Sequence, residues 1–329
     1  MRPLLHVADL TVDLMVGGQA KTAIHNVTFE LAPGSTIGLV GESGSGKSIT
    51  ARAIGRLLPR GGTIGGAIEF DGQDISKLSG DALRQYRSGG VGMIFQDPRS
   101  AINPVRRIGD FLTETLTINL GMNKADASAR AVELLAQVGI EDGERRLRQY
   151  PHELSGGLLQ RVMIASVVGA RPRLILADEP TTALDVTTQA GVISVLSTLR
   201  AEYGMAMVFI THDLELAAAV CDHIAVMYAG SIVEMQSSAD LLAHPKHPYT
   251  SALLQARPDI DRRSRRLLAV PGQPTTAFDA PTGCAFAPRC GYAEPECEQP
   301  LKLIPFAGGL VRCRRSAELS GTLLGEAKR

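Results

Sequence analysis

The eight residues Gly41-Glu-Ser-Gly-Ser-Gly-Lys47-Ser48 have the spacing G-x-x-x-x-G-K-S of a loop that wraps phosphate. An apolar strand pattern, Ser35 to Val40, leads into it, and a helical pattern from Lys47 to about Leu58 leads out. In that context the glycines let backbone amides turn inward, and the helix points its positive end at the anion. Lys47 would reach the β- and γ-phosphates of a nucleoside triphosphate, and Ser48 would ligate Mg²⁺. The expected phosphate contacts are Gly41, Ser43, Gly44, Ser45, Gly46, Lys47, Ser48 and Ile49. A glycine-rich turn without a ligand is the competing reading, and the flanking strand and helix argue against it.

Other groups of chemical interest follow in a fixed order. Leu154-Ser155-Gly156-Gly157 opens a helical pattern at Leu158, which makes a second anion site of backbone amides at a helix N-terminus. Leu174-Ile-Leu-Ala-Asp178-Glu179 is an apolar strand ending in two acids. Asp178 is suited to hold Mg²⁺ through water, and Glu179 to polarise an attacking water. Thr182-Ala183-Leu184-Asp185 comes next, and Thr211-His212-Asp213 closes another apolar run, Met207 to Ile210. Gln96 closes a third, Val91 to Phe95. Taken singly, the acids could cap a helix and His212 could be an ordinary strand-end histidine.

Taken together, in the chain order Lys47 loop, Gln96, Leu154 to Gly157, Asp178-Glu179, Ala183 to Asp185 and His212, the motifs resemble the ABC ATPase family over residues of about 4 to 240. The resemblance implies a head-to-tail dimer with ATP between the Lys47 loop of one subunit and Ser155, Gly156 and Gly157 of the other. It implies that Gln96 senses the γ-phosphate and joins Ser48 and Asp178 around Mg²⁺. It further implies that Glu179, His212 and Gln96 serve catalysis and that Asp185 touches the partner subunit. Two departures stand out. Leu158 occupies a position that is usually Gln, with Gln160 two residues on, and Val12 to Gly18 lacks the aromatic on which the family stacks adenine, leaving Met15. Asn123-Lys-Ala-Asp126 spells a guanine-recognition motif, but it precedes the acidic strand, so it reads as a helix start capped by Asn123 or Asp126.

These residues need an α/β scaffold. Continuous apolar runs ending in polar residues are the pattern of central parallel strands. Alternation on either side of Gly17-Gly18 reads as an antiparallel hairpin. Helical periodicity near 125–150 marks a helical subdomain, about 98–165, set into the core. The expected fold is therefore a P-loop core with an N-terminal antiparallel sheet and this helical insertion over residues 1–240. A small irregular C-terminal extension, 241–329, follows, where proline and cysteine become frequent.

Among 329 residues, 44% are hydrophobic, enough for a substantial core, and 34 basic residues balance 34 acidic ones. That balance, with 4% aromatics and no Trp, gives no footing for a nucleic-acid partner. No apolar run approaches the ~18 residues of a membrane span, and the N-terminus lacks a signal-peptide pattern. The expectation is a protein at the cytoplasmic face of the membrane, held there by others.

Four of five cysteines fall in the extension: Cys284, Cys290, Cys297 and Cys313, separated by five, six and fifteen residues. In a reducing compartment such a group points to metal rather than disulfides. Zinc sites usually contain a tight C-x₂₋₄-C pair, which is absent, whereas four thiolates also suit a [4Fe–4S] cluster. Zinc, and unligated thiols or disulfides, stay open. Cys221 reads as a small packing residue.

His244 to Thr250, Pro271-Gly-Gln-Pro274 and Gly283 to Cys290 resemble the tail of dipeptide/oligopeptide importer ATPases, as does Asp97 to Pro104 after Gln96. That resemblance implies a [4Fe–4S] cluster, two transmembrane permease subunits, a second ATPase subunit and an extracytoplasmic solute-binding protein. It also places Asp97 to Pro104 where the permeases dock. Alternatives are the same ATPase role for nickel or another small solute, or a soluble ABC ATPase outside transport.

Overall fold

The computed structural model describes residues 2–182, 184–256 and 270–323. Ala183 of the Ala183-Leu184-Asp185 run lies outside the described residues, as do parts of the 241–329 extension. The strands are β1 (Leu5–Val16), β2 (Gln19–Leu31), β3 (Thr36–Val40), β4 (Thr63–Phe70), β5 (Gln73–Asp74), β6 (Val91–Ile94), β7 (Leu174–Asp178), β8 (Ala206–Thr211), β9 (His223–Tyr228), β10 (Ser231–Ser237), β11 (Ile304–Phe306) and β12 (Gly309–Val311). They fall into two compact units, taken here in turn.

The first unit comprises the described parts of Leu5–Glu30, Thr36–Ser76 and Thr211–Arg329. Its antiparallel sheet runs β2-β1-β4-β5. Gly17 and Gly18, at φ 59° and 82°, make the predicted hairpin turn, because two consecutive left-handed residues match the strand twist. Leu5, Val7, Leu10 and Val12 bury one face of β1. The alternation slips at a bulge between Ala8 and Thr11, where Asp9 takes φ 47°. A second set of strands runs β3-β9-β10-β12-β11, with β3 and β9 parallel and the others antiparallel. Every residue of β3 is buried, as its unbroken apolar run requires.

The extension is less irregular than its composition suggests. β11 and β12 form a hairpin on the edge of β10, turning at Ala307 and Gly308 with φ 46° and 81°. Lys246 Nζ donates to the carbonyls of both Phe306 (3.1 Å) and Ala307 (2.6 Å) and fastens the turn. Phe286 enters the core beside Tyr228 and Tyr249, with ring centroids 5.5 and 5.2 Å away. The extension thus packs into a core that the strands and helices before it already form.

The second unit comprises the described parts of Met1–Leu4, Leu31–Ser35 and Lys77–Ile210. Parallel strands β6, β7 and β8 lie side by side, with Ile175 opposite Gly92 and Met207, and Asp178 opposite Ile210. The helical insertion consists of Pro98–Ala101, Ile108–Leu120, Lys124–Gln137, Gly143–Leu147 and Gly156–Gly169. Asn123 caps the third of these, accepting from the Asp126 N–H at 3.0 Å, so the guanine-motif look-alike is a helix start. Gly169 lets the last helix approach closely: a Cβ there would sit 2.7 Å from Leu134 Cδ1.

Candidate functional site

The phosphate loop sits between the end of β3 and the helix Lys47–Ile54. A side chain at Gly41 would collide with the Met227 carbonyl, and one at Gly46 would sit 2.6 Å from Ile24 Cδ1. Gly44 and Gly46 take φ 80° and 101°, conformations that favour glycine. The Gly230 N–H donates to Ser45 O at 3.0 Å and braces the loop from below. Lys47 is only 4% exposed, and its Nζ donates to Gly41 O (2.8 Å) and Glu42 O (2.9 Å). These neutral acceptors are weaker partners for an ammonium than charged phosphate oxygens. Ser43 and Gly44 are exposed, Ser45 is buried, and Ser48 and Ile49 are half-buried.

His212 belongs to the same unit and follows β8. Asp213 accepts from the N–H groups of Glu215 (2.9 Å) and Leu216 (3.1 Å) and donates its own N–H to Thr211 Oγ1 (3.0 Å). This turn leaves His212 exposed between a buried threonine and a capped helix. Met15, the suggested adenine neighbour, is 51% exposed on β1.

The acid pair and Gln96 meet in the other unit. Asp178 ends β7 and is 3% exposed. Glu179 takes φ 44°, a rare conformation for a residue with a side chain, and its N–H is held by Ile210 O at 3.0 Å. Its Oε2 accepts from Thr182 Oγ1 (2.6 Å) and Gln96 Nε2 (3.3 Å). Gln96 in turn hangs from the helix Gly156–Gly169: the Phe95 N–H meets Met163 Sδ (3.2 Å), and Gln160 Nε2 donates to Phe95 O (3.5 Å). Gln160 is buried and so binds the preceding strand end. The sequence singles out Thr182 and Gln160 without giving either a role; their contacts with Glu179 and Phe95 supply one.

Ser155 caps the helix Gly156–Gly169, accepting from the Leu158 N–H at 3.4 Å. Asp185 caps Val186–Glu202 and accepts from both Thr188 N (3.0 Å) and Thr188 Oγ1 (2.7 Å). A Cβ on Gly157 would sit 2.6 Å from Thr188 Cγ2, so the two capped helix starts pack together only because Gly157 is glycine. In this unit the structure thus joins Gln96 and Glu179 by a hydrogen bond, and brings the helix starts capped by Ser155 and Asp185 into close packing at Gly157 and Thr188. The hydroxyl of Ser48 and the carboxylate of Asp178 are hard oxygen donors of the kind Mg²⁺ takes.

The thiols of Cys284, Cys290, Cys297 and Cys313 line one cavity of about 20 Å³, together with His247. Among the described residues no group of three or more His, Cys, Asp or Glu side chains is arranged to hold a metal ion, so the metal site expected in the extension is not preformed. Burial pushes the Cys284, Cys290 and Cys313 thiols up, Cys313 to about 12, which keeps them protonated unless a cation draws the proton off. Burial also lowers His247, to about 3. Its Nδ1 accepts from the Tyr249 N–H (3.0 Å), and its buried Nε2 lacks a hydrogen bond of good geometry. Cys221 is buried at the end of the helix Leu214–Val220, where it packs near Gly38.

An ABC transporter family model matches residues 24–182, and a model for the oligopeptide/dipeptide transporter C-terminal region matches residues 233–297. The chain is 42% identical over 319 residues to the oligopeptide transport ATP-binding protein OppD of Haemophilus influenzae, covering 97% of this chain and 99% of that one. It is 43% identical over 309 residues to OppD of Escherichia coli, covering 94% and 92%. Among solved structures, the dimeric post-hydrolysis state of the ATP-binding cassette MJ0796 bound to ADP and Pi matches with a TM-score of 0.62 and 28% identity, over 71% of this chain and 98% of that one. Among the described residues no helix is long and apolar enough to cross a membrane. With 42% identity across 97% of this chain and 99% of such a relative, and both family models matched, the chain belongs to the ABC transporter ATP-binding protein family, in the branch that bears the oligopeptide/dipeptide transporter C-terminal region.

Proposed function

We propose that this chain is the ATP-hydrolysing subunit of an importer of di- and oligopeptides. The observation that carries the reading is identity running through both the cassette and the tail, across 99% of an oligopeptide transport ATP-binding protein. Residues 1–240 form the ATPase, with its helical part near 98–165, and 241–329 form the importer-type extension. ATP binds on Gly41, Ser43 to Ile49 and, from a second ATPase subunit, on Ser155 to Gly157. Glu179 takes the proton of the attacking water, Gln96 and His212 contact the γ-phosphate, and Asp185 meets the partner. Bound Mg²⁺, held by Ser48, Asp178 and Gln96, would neutralise charge on the phosphates.

The subunit works at the cytoplasmic face with two permeases and an extracytoplasmic solute-binding protein. Gln96 and Asp97 to Pro104 carry the signal to the permeases. Asp97 caps the short helix Pro98–Ala101 through the Arg99 N–H (2.9 Å), and beyond it Val105 is 79% exposed. Reconstituted with its permeases, the complex should hydrolyse ATP faster when peptide-loaded binding protein is added. No stimulation by any peptide pool, with stimulation by another solute, would reassign the cargo. Substitution of Gln96, or of Arg99 and Asn103 together, should reduce the stimulated rate more than the basal one. Equal losses would remove these residues from the coupling route.

The four thiols are also proposed to hold a [4Fe–4S] cluster. Their donor set suits it, and all four line one cavity. Protein purified without oxygen should be brown, with about four irons per chain, and Cys290→Ser should lose the colour while still binding ATP. Colourless anaerobic protein, with zinc or no metal on elemental analysis, would overturn the cluster alone.

A further inference from the structure

Glu42 stands at a position of the phosphate loop where phosphate chemistry demands no particular side chain, yet each of its polar parts is engaged. Its N–H donates to Tyr249 Oη at 3.0 Å. Its carbonyl accepts from Lys47 Nζ at 2.9 Å. Its carboxylate takes a two-pronged ion pair from Arg289, with Nη1 to Oε2 at 2.7 Å and Nη2 to Oε1 at 3.1 Å. Arg289 lies 247 residues along the chain, in the extension, beside Cys290.

We propose that Arg289 is a positioning residue of the phosphate loop: through Glu42 it fixes the loop around Lys47 and so sets the affinity for the nucleoside triphosphate. The guanidinium is itself firmly placed. Its Nε donates to Pro271 O (2.8 Å), its Nη1 reaches Tyr228 Oη (3.3 Å), and its carbon lies 5.8 Å from the ring centroids of both Tyr228 and Phe286. The Arg289 side chain is 3% exposed and that of Glu42 25%. A forked pair between planar groups fixes orientation as well as distance, which a lysine cannot reproduce.

Two consequences act in the same direction. With Arg289 in place, the Glu42 carbonyl stays where Lys47 meets it, so the loop is organised before nucleotide arrives. Without it, a largely buried carboxylate is left uncompensated in a loop built for anions, and it repels the triphosphate. A tail that merely docked on the cassette would need no such contact with the loop that holds phosphate.

The inference rests on the loop being the ATP site, and the test separates the two. ATP dissociation constants and melting temperatures are measured on the full chain for Arg289→Gln, Arg289→Lys, Glu42→Gln, Arg289→Gln with Glu42→Gln, and Lys47→Ala. Arg289→Gln should weaken ATP binding by about 2- to 30-fold, with a smaller change in kcat at saturating ATP. The double variant should bind no worse than Arg289→Gln alone, because no pair is left to break. Arg289→Lys, which keeps the charge but loses the fork, should fall between wild type and Arg289→Gln, and it carries the test if Arg289→Gln fails to fold. A lowered melting temperature with unchanged ATP affinity, or losses that add in the double variant, would overturn the inference. Undiminished ATP binding by Lys47→Ala would instead unseat the loop as the ATP site.

Discussion

Replacing Glu179 with glutamine is expected to lower ATP hydrolysis by about 10²–10⁴-fold, the range for a positioned general base, while ATP binding survives. The isosteric amide keeps an oxygen for Thr182 Oγ1, which lies 2.6 Å from Oε2, but it cannot take a proton from water. The backbone supports the same reading. Glu179 is held at φ 44° by a hydrogen bond to Ile210 O, and strain of that kind at a carboxylate beside a glutamine amide has a purpose if it aims the group. The variant should also accumulate as an ATP-bound dimer, because closure proceeds and the reopening step does not. Rapid-quench phosphate release and size-exclusion chromatography with ATP are the measurements. Phosphate release at the wild-type rate would take Glu179 out of the base role.

Lys47→Ala should act one step earlier, on binding. Removing an ammonium that contributes a charged hydrogen bond to the phosphates should weaken ATP affinity by about 10- to 100-fold, with hydrolysis falling in parallel at limiting ATP. The ammonium also bridges Gly41 O and Glu42 O, so the loop loses its internal tie at the same time. Calorimetric titration distinguishes this variant from Glu179→Gln: the first loses the binding heat, and the second keeps it. ATP affinity unchanged by Lys47→Ala would show that the phosphates lie elsewhere.

What the sequence determined by itself is local. The phosphate loop, the acid pair at the end of β7, the Gln96 strand end and the Ser155 and Asn123 caps are each set by residues a few positions apart. There the covalent chain dictates which backbone amides and side chains can meet. The buried parallel strands were legible for a similar reason, since unbroken apolar runs such as Leu174 to Ala177 leave no face for water. Only the tertiary structure decided the rest. It alone pairs Arg289 with Glu42 and hangs the segment before Gln96 on Met163 and Gln160. It turns Ile304–Val311 into a hairpin on β10, although strands of three residues carry too little pattern to read. It also gathers four widely spaced thiols around one cavity without preforming a metal site there. Those outcomes depend on which surfaces pack against one another, and no periodicity or motif spacing encodes a contact between residues hundreds of positions apart.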